Sequence, residues 1–400
     1  MSVLRRFPGL IFTHKFKCLF VLFLSIVCFI TLYSWRIICS NLESWDRVTS
    51  LCSQYKKGKI SGDLCPKLCG EGSVVSLACQ TLHSGKDIIF SATLKDGLNI
   101  VVKSSQNTEP QDIFYWIDDA GEHYPTDDFF RSLVENRIQA RLNITLSEHD
   151  LERIIRYPNG QHFPVNSKAR RIEMKEIWRL LQDNEYLISM VYAGRDMFPK
   201  ITGICGHYFG TEYLKPAMDG DLVKIVSKET EDNWANRVHL AVMILDLVEQ
   251  IDGDNLVLCD VKPNHFGISG EGKLKILDLD VTFPRAIANA ITKSGKNCEF
   301  DSDCHLFDCH SVCNKEKKIC DAPVMNSNLQ IVCEKILLGW AMPGVMVPGL
   351  LMTSSTPSGL ASLLRQCAHG AGGPQFDSDI ATRLTHTLAE MDAHLQNLIK

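Results

Sequence analysis

The stretch Leu258-Cys259-Asp260-Val261-Lys262-Pro263-Asn264-His265-Phe266-Gly267, followed by Ile276-Leu277-Asp278-Leu279-Asp280, decides the reading of this 400-residue chain. Asp260 and Asp278 stand eighteen residues apart, each preceded by an apolar run, with Gly270 and Gly272 between them. The order is strand, acidic loop, hairpin, second acidic loop. Phosphoryl transfer needs one carboxylate to orient a hydroxyl and another to hold a metal ion on the phosphates, both on neighbouring short strands. Asp-x-Asp alone is weak. The Asp-x-Lys-Pro loop upstream makes the pair specific.

Composition sets outer limits. With 45% apolar and 22% charged residues, the chain is rich enough to bury a large core. A net charge of −5 argues against a general affinity for nucleic acid. One segment differs in kind: Cys18 to Trp35 carries no charge over eighteen residues, the lower end for a spanning helix. A cleaved signal peptide competes with this reading, but Leu32 and Ser34 make a poor cleavage site, so an uncleaved anchor over 18–35 is expected. Arg5, Arg6, Lys15 and Lys17 precede the run without an acid, whereas Glu43 and Asp46 soon follow it. The tail 1–17 should then stay cytosolic and residues 36–400 face a lumen. Arg5-Arg6 also resembles a dibasic retrieval signal of the endoplasmic reticulum, or it supplies topogenic charge only.

Cysteine usage agrees with an oxidising lumen. Fourteen of the sixteen cysteines lie beyond the span, mostly clustered at Cys39–Cys79 and Cys298–Cys333. Disulfides are expected. Zinc is the rival, because Cys65-x-x-x-Cys69 and Cys309-x-x-x-Cys313 have plausible ligand spacing. Asn143-Ile144-Thr145 is a glycosylation sequon if that loop is lumenal.

Residues 36–72 read as a short Cys-rich stem with little apolar periodicity. Beyond it, Val74-Val75, Ile88-Ile89-Phe90, Leu94 and Ile100-Val101-Val102 read as strands, with Asp96-Gly97 as a hairpin turn. The last strand delivers Lys103, either an ordinary edge lysine or a phosphate contact. A phosphate loop belongs near Thr81 to Phe90, where Gly85 is the only glycine. Residues 104–166 form an acidic insertion. Taking Gly160 as a calcium-loop glycine puts Ile155, Tyr157 and Asn166 at ligand positions, so calcium is excluded.

Lys168 to Tyr192 reads as one amphipathic helix, with Trp178, Leu181 and Ile188 on a stripe that also carries Glu185. A carboxylate there needs a partner, because burying it unpaired is costly. Lys103 is the candidate; a glutamate reaching out to water is the alternative. Phe198-Pro199-Lys200-Ile201 leads to another strand. A helix over Asn236–Ile251, with Val238, Val242, Leu245 and Val248 on one face, runs into the Asp260 loop. Residues 298–320 form a small knot, and Ile380–Ile399 a closing helix.

With these residues quoted, the chain resembles the divergent protein kinase domain family, in its cysteine-rich, type II endoplasmic-reticulum branch. The resemblance covers the basic tail and span, the stem Cys52-x-x-Tyr55-Lys56-x-Gly58 through Leu64-Cys65 and Leu68-Cys69, the acidic loops, and the knot from Cys298 to Cys333. It implies an α+β, bilobal protein-kinase-like fold with an N-terminal transmembrane helix and a disulfide-rich stem and insert. The N-lobe would be 73–215 and the C-lobe 216–400. It implies ATP with Mg²⁺ or Mn²⁺ as cofactor. Lys103 would contact phosphates, held by Glu185, with Gly85 in the phosphate loop. Asp260 would be the catalytic base, Lys262 would steady the transferred group, and Asp278 would bind metal. The metal-binding asparagine is expected five residues after the base, where His265 stands; Asn264 lies one position early. Asp280 replaces a glycine and either adds a ligand or caps a turn. Leu258-Cys259 replaces the usual His-Arg, so regulation through a phosphorylated activation segment is not expected.

Three functions follow as expectations. The first is a lumenal enzyme moving the ATP γ-phosphoryl group to a hydroxyl of a protein or glycan. The second is a pseudokinase that keeps the fold as a lumenal scaffold. The third is a glycosyltransferase using Asp278-Leu279-Asp280, in which the Asp260 loop would have no role.

Overall fold

The structure is a computed structural model that describes residue 25 and residues 41–80, 86–105, 116–118, 121–158, 162–218, 230–342, 345–370 and 374–399. The expected anchor lies outside them apart from Ser25, as do the tail 1–17 and Gly85. Among the described residues no helix is long and apolar enough to cross a membrane.

The N-terminal half is built on a five-stranded antiparallel sheet. Its strands are β1 (Val74–Cys79), β2 (Lys86–Leu94), β3 (Asn99–Ser105), β4 (Ile201–Cys205) and β5 (Tyr208–Glu212), in the order β1-β2-β3-β5-β4. The β2–β3 turn is the expected Asp96-Gly97, where Gly97 takes a φ of +83° that a side chain would oppose. Lys103 sits opposite Ile89 on one side and Phe209 on the other, in the middle of the sheet and not at an edge.

The stem is not a separate stalk. Asn41–Lys56 is a helix (α1) that buries Ser44, Val48 and Leu51, one face at i, i+4 and i+7. Val48, Leu51, Leu64 and Leu68 share a core with Leu77, Phe90, Ile100 and Val102 of the sheet. Each such burial contributes roughly 1.5–3 kcal/mol. Cys65 is disulfide-bonded to Cys205 of β4, and Leu64 N donates to Ile204 O at 2.9 Å. At Gly62 an added Cβ would lie 2.0 Å from Ile204 O, so only glycine lets the stem approach this strand.

The expected helix 168–192 is two helices, α2 (Lys168–Leu180) and α3 (Asn184–Val191). Asp183 causes the break: its carboxylate accepts from Tyr186 N at 3.1 Å and starts a new helix, as a side-chain cap does. Leu181 and Ile188 are buried as expected, and Trp178 is half-buried. The insertion is folded too, with helices Asp127–Leu142 and Glu148–Ile154 capped by Thr126 and Ser147.

In the C-terminal half the long helix α4 (Glu231–Gly253) runs into β6 (Leu256–Leu258), which pairs with β9 (Thr282–Pro284). Between them, β7 (Phe266–Ile268) and β8 (Leu274–Ile276) form the hairpin that separates the two acidic loops. The closing helix, α5 (Pro374–Ile399), packs on α4 and ties to it by His239 Nδ1 and Asp392 Oδ2 at 3.0 Å.

Six disulfides join described cysteines: 52–69, 65–205, 259–309, 298–313, 304–320 and 333–367. The knot closes on itself twice, and its fifth cysteine, Cys309, reaches the Asp260 loop. The zinc reading fails, because Cys65, Cys69, Cys309 and Cys313 are all in disulfides with other partners.

Candidate active site

A cavity lies between the sheet and the two acidic loops. Ile89, Val101, Leu214 and Met218 supply apolar lining, and Lys86, Lys103, Glu185, Asn264, His265, Asp278 and Asp280 polar lining. The strands explain the placing. Val101 and Lys103 alternate onto the cavity face of β3. The α3 cap puts Glu185 in the first turn of that helix, where it meets them.

Lys103 Nζ pairs with Glu185 Oε1 and donates to Leu277 O at 3.0 Å. This joins sheet, helix and the residue before Asp278. Both side chains are buried, at 10% and 3% exposure, which settles the question of an edge lysine against a cavity lysine. Asp260 begins the loop after β6. Its Oδ2 accepts from Lys262 Nζ at 2.8 Å, with Lys262 largely exposed. His265 is buried, its Nδ1 3.2 Å from Asp260 O and its Nε2 3.4 Å from Asp278 Oδ2. Asn264 is exposed and lines the cavity wall. The chain therefore brings His265, not Asn264, between the two aspartates. Asp260, His265 and Asp278 each offer a ligand atom within 4.8 Å of the others. Two carboxylates and an imidazole suit Mn²⁺ better than Mg²⁺, which prefers oxygen alone.

Asp278 and Asp280 belong to different trios. Asp280 turns to a second trio with Asp183 and Glu185. At its centre is Lys86, a residue the sequence reading passed over: Nζ lies 2.5 Å from Asp280 Oδ1, 2.7 Å from Asp183 Oδ2 and 3.2 Å from Glu185 Oε2. Burial alone would lower the Lys86 pKa, but the three carboxylates reverse that and hold it raised. Asp280 is the most exposed of the three carboxylates, at 22%. Burial, with Glu185 and Asp183 beside it, pushes it up to about 7 despite Lys86. Asn184 supports this loop, its Nδ2 donating to Leu279 O, Asp280 O and Thr282 O at 2.9–3.2 Å.

The Asp260 loop has a different support. Cys259 is disulfide-bonded to Cys309. Beside it, Asp308 N donates to Cys259 O at 2.8 Å and Asp308 Oδ2 accepts from Val261 N at 2.8 Å. Lys335 Nζ pairs with Asp308 Oδ1 at 3.2 Å. The knot thus clamps both neighbours of Asp260. No spacing in the sequence signals this pairing.

Comparisons with known proteins bear on this arrangement. Among solved structures, the ROP18 kinase domain in complex with AMP-PNP and sucrose is 11% identical, with 92% of this chain and 95% of that one covered at a TM-score of 0.43. A Toxoplasma gondii rhoptry antigen kinase domain is 10% identical, covering 81% and 84% at 0.36. Family models say more. Residues 6–157 match the model described as the N-terminal cysteine-rich endoplasmic-reticulum region of FAM69, which takes in the stem, Lys86 and Lys103. Residues 177–370 match the model described as the protein-kinase domain of FAM69, which takes in Glu185, both acidic loops and the knot. The Lys103–Glu185 pair joins the two matched regions, and the chain belongs to the FAM69 family.

Proposed function

We propose that this kinase-like protein is an active phosphotransferase of the secretory pathway, moving the γ-phosphoryl group of ATP to a hydroxyl of a lumenal protein or glycan. The observation that carries the reading is the buried Lys103–Glu185 pair, anchored to Leu277 O beside Asp278, in one cavity with Asp278 and His265, which sit within ligand reach of Asp260. Lys103 would hold phosphate oxygens. A divalent ion bound at Asp278 and His265 would supply the charge that neutralises the phosphates. Asp260 would accept the proton as the acceptor oxygen bonds to phosphorus and the bond to ADP breaks. Lys262, on the solvent side, would steady the group in transfer. An endoplasmic-reticulum, type II placement with residues 36–400 lumenal accords with the family model's description and with the disulfides.

Thermal stabilisation by ATP with Mg²⁺ or Mn²⁺ tests the reading. A rise of several degrees is expected, larger with Mn²⁺. No shift with either ion would leave the second reading, a pseudokinase scaffold, which the substitution of His265 for the metal-binding asparagine favours. Protease added to sealed microsomes should leave 36–400 intact, and digestion without detergent overturns the topology.

A further inference from the structure

Two trios of potential ligands meet at the cavity, which Glu185 and Asp280 of one and His265 and Asp278 of the other line. Asp183, Glu185 and Asp280 bring oxygens within 4.8 Å of one another, close enough to share a divalent ion. Lys86 Nζ already lies among them at 2.5–3.2 Å, with the Lys86, Asp183 and Glu185 side chains only 2–3% exposed. It enters from the start of β2. A register shift between Lys86 and Ile88 turns it onto the cavity face with Ile89, which plain alternation would have put on the opposite side. At the other trio, Lys262 approaches Asp260 with 56% of its side chain exposed.

Protein kinases commonly hold two divalent ions on the phosphates. We propose that Lys86 is a resident cation taking the place of a second one. The site then takes a single divalent ion on its His265–Asp278 side, and Asp280 is the positioning partner of Lys86 and not a metal ligand. The inference rests on the nucleotide-binding reading above. Charge makes the exchange sensible: three carboxylates in one buried cluster need cations, and a tethered ammonium supplies one without waiting for metal. The same ammonium holds the loop at Asp280 against Asp183 and Glu185, so the metal side keeps its shape when the nucleotide is absent.

The test counts ions on the full-length chain, with Mn²⁺ as the probe and a non-hydrolysable ATP analogue, by electron paramagnetic resonance of unbound Mn²⁺. One Mn²⁺ per bound analogue is expected. Asp278→Asn should weaken Mn²⁺ by about tenfold or more. Asp280→Asn should keep the count at one and fall well short of that loss. Lys86→Met should admit a second Mn²⁺. Should Lys86→Met not fold, the pair Asp278→Asn and Asp280→Asn decides alone. Two ions in the wild type, equal losses in the two aspartate variants, or a folded Lys86→Met that still takes one ion would each overturn the proposal. Failure of the analogue itself to bind overturns the nucleotide reading as well, so the two failures are distinguishable.

Discussion

The two sides of the cleft are held by different physics. On the sheet side, Lys86 and Lys103 meet Asp183, Glu185 and Asp280 in one buried charge network that ties β2, β3, α3 and the second acidic loop together. On the loop side, Asp260 keeps an exposed partner and is fixed through its neighbours, by a disulfide and by Asp308. A buried network is costly to break, because removing one partner leaves an uncompensated buried charge. A backbone clamp leaves the side chain free to act. On the proposed function the sheet side serves binding and the loop side serves transfer.

The largest effect should come from Asp260→Asn. On the proposed reading its carboxylate takes the proton of the acceptor hydroxyl, so turnover should fall by about 10²–10⁴-fold while ATP affinity stays nearly unchanged. Asp278→Asn should instead weaken metal–nucleotide binding itself. Turn-forming aspartates of no catalytic use would tolerate both changes, since asparagine makes the same backbone bonds. Equal behaviour of the two variants in paired affinity and transfer assays would break the comparison.

Glu185→Ala comes next, and it reads stability. Removing the shared carboxylate leaves Lys103 buried against Leu277 O without its anionic partner. A loss of about 3–5 kcal/mol is expected in urea denaturation, against under about 1 kcal/mol for Asp260→Ala on the exposed side. Similar losses at both positions would mean that burial does not divide the cleft as described.

Replacing Cys259 and Cys309 together by alanine should cost about 2–5 kcal/mol. More telling is the split: transfer should fall while ATP affinity holds, because the clamp touches only the Asp260 loop. Loss of affinity in step with transfer would show that the knot supports the whole cleft.

These contrasts mark what the sequence could reveal. The acidic loops were legible because each follows an apolar strand and is closed by turn residues. Glu185 was legible as a carboxylate on an apolar stripe, and Lys103 as the residue ending Ile100-Val101-Val102. Lys86 was not. Its side of the strand depends on a bulge between Lys86 and Ile88, and period-two reading assumes no bulge. The break at Asp183 was hidden because apolar spacing continues across it, although an Asp-Asn step inside a helix is a capping signal. Likewise Ser44, Val48 and Leu51 carry a helical spacing that the cysteines around them drew attention from. Cys65–Cys205 and Cys259–Cys309 close over 140 and 50 residues, distances at which spacing carries no pairing information.

The smallest effect concerns a buried carboxylate outside the network. Glu176, on α2, is only 4% exposed, and its Oε2 has no hydrogen-bond partner among the described residues. Glu185, on the next helix, has two ammonium groups; Glu176 has Arg179 and Lys175 only as more distant charges. Burial pushes the Glu176 carboxyl up to about 7 from 4.5. Between those values the folded state holds a proton that the unfolded chain has released. Glu176 thus costs nothing below about pH 4.5, and stability is lost as pH rises through 7. Glu176→Gln removes the titration. The variant should match the wild type at pH 4 and exceed it by about 1–3 kcal/mol at pH 8, measured by urea denaturation at both values. A gap that does not change with pH would mean that Glu176 is ionised in the fold, and that burial without an ammonium partner is not what separates it from Glu185.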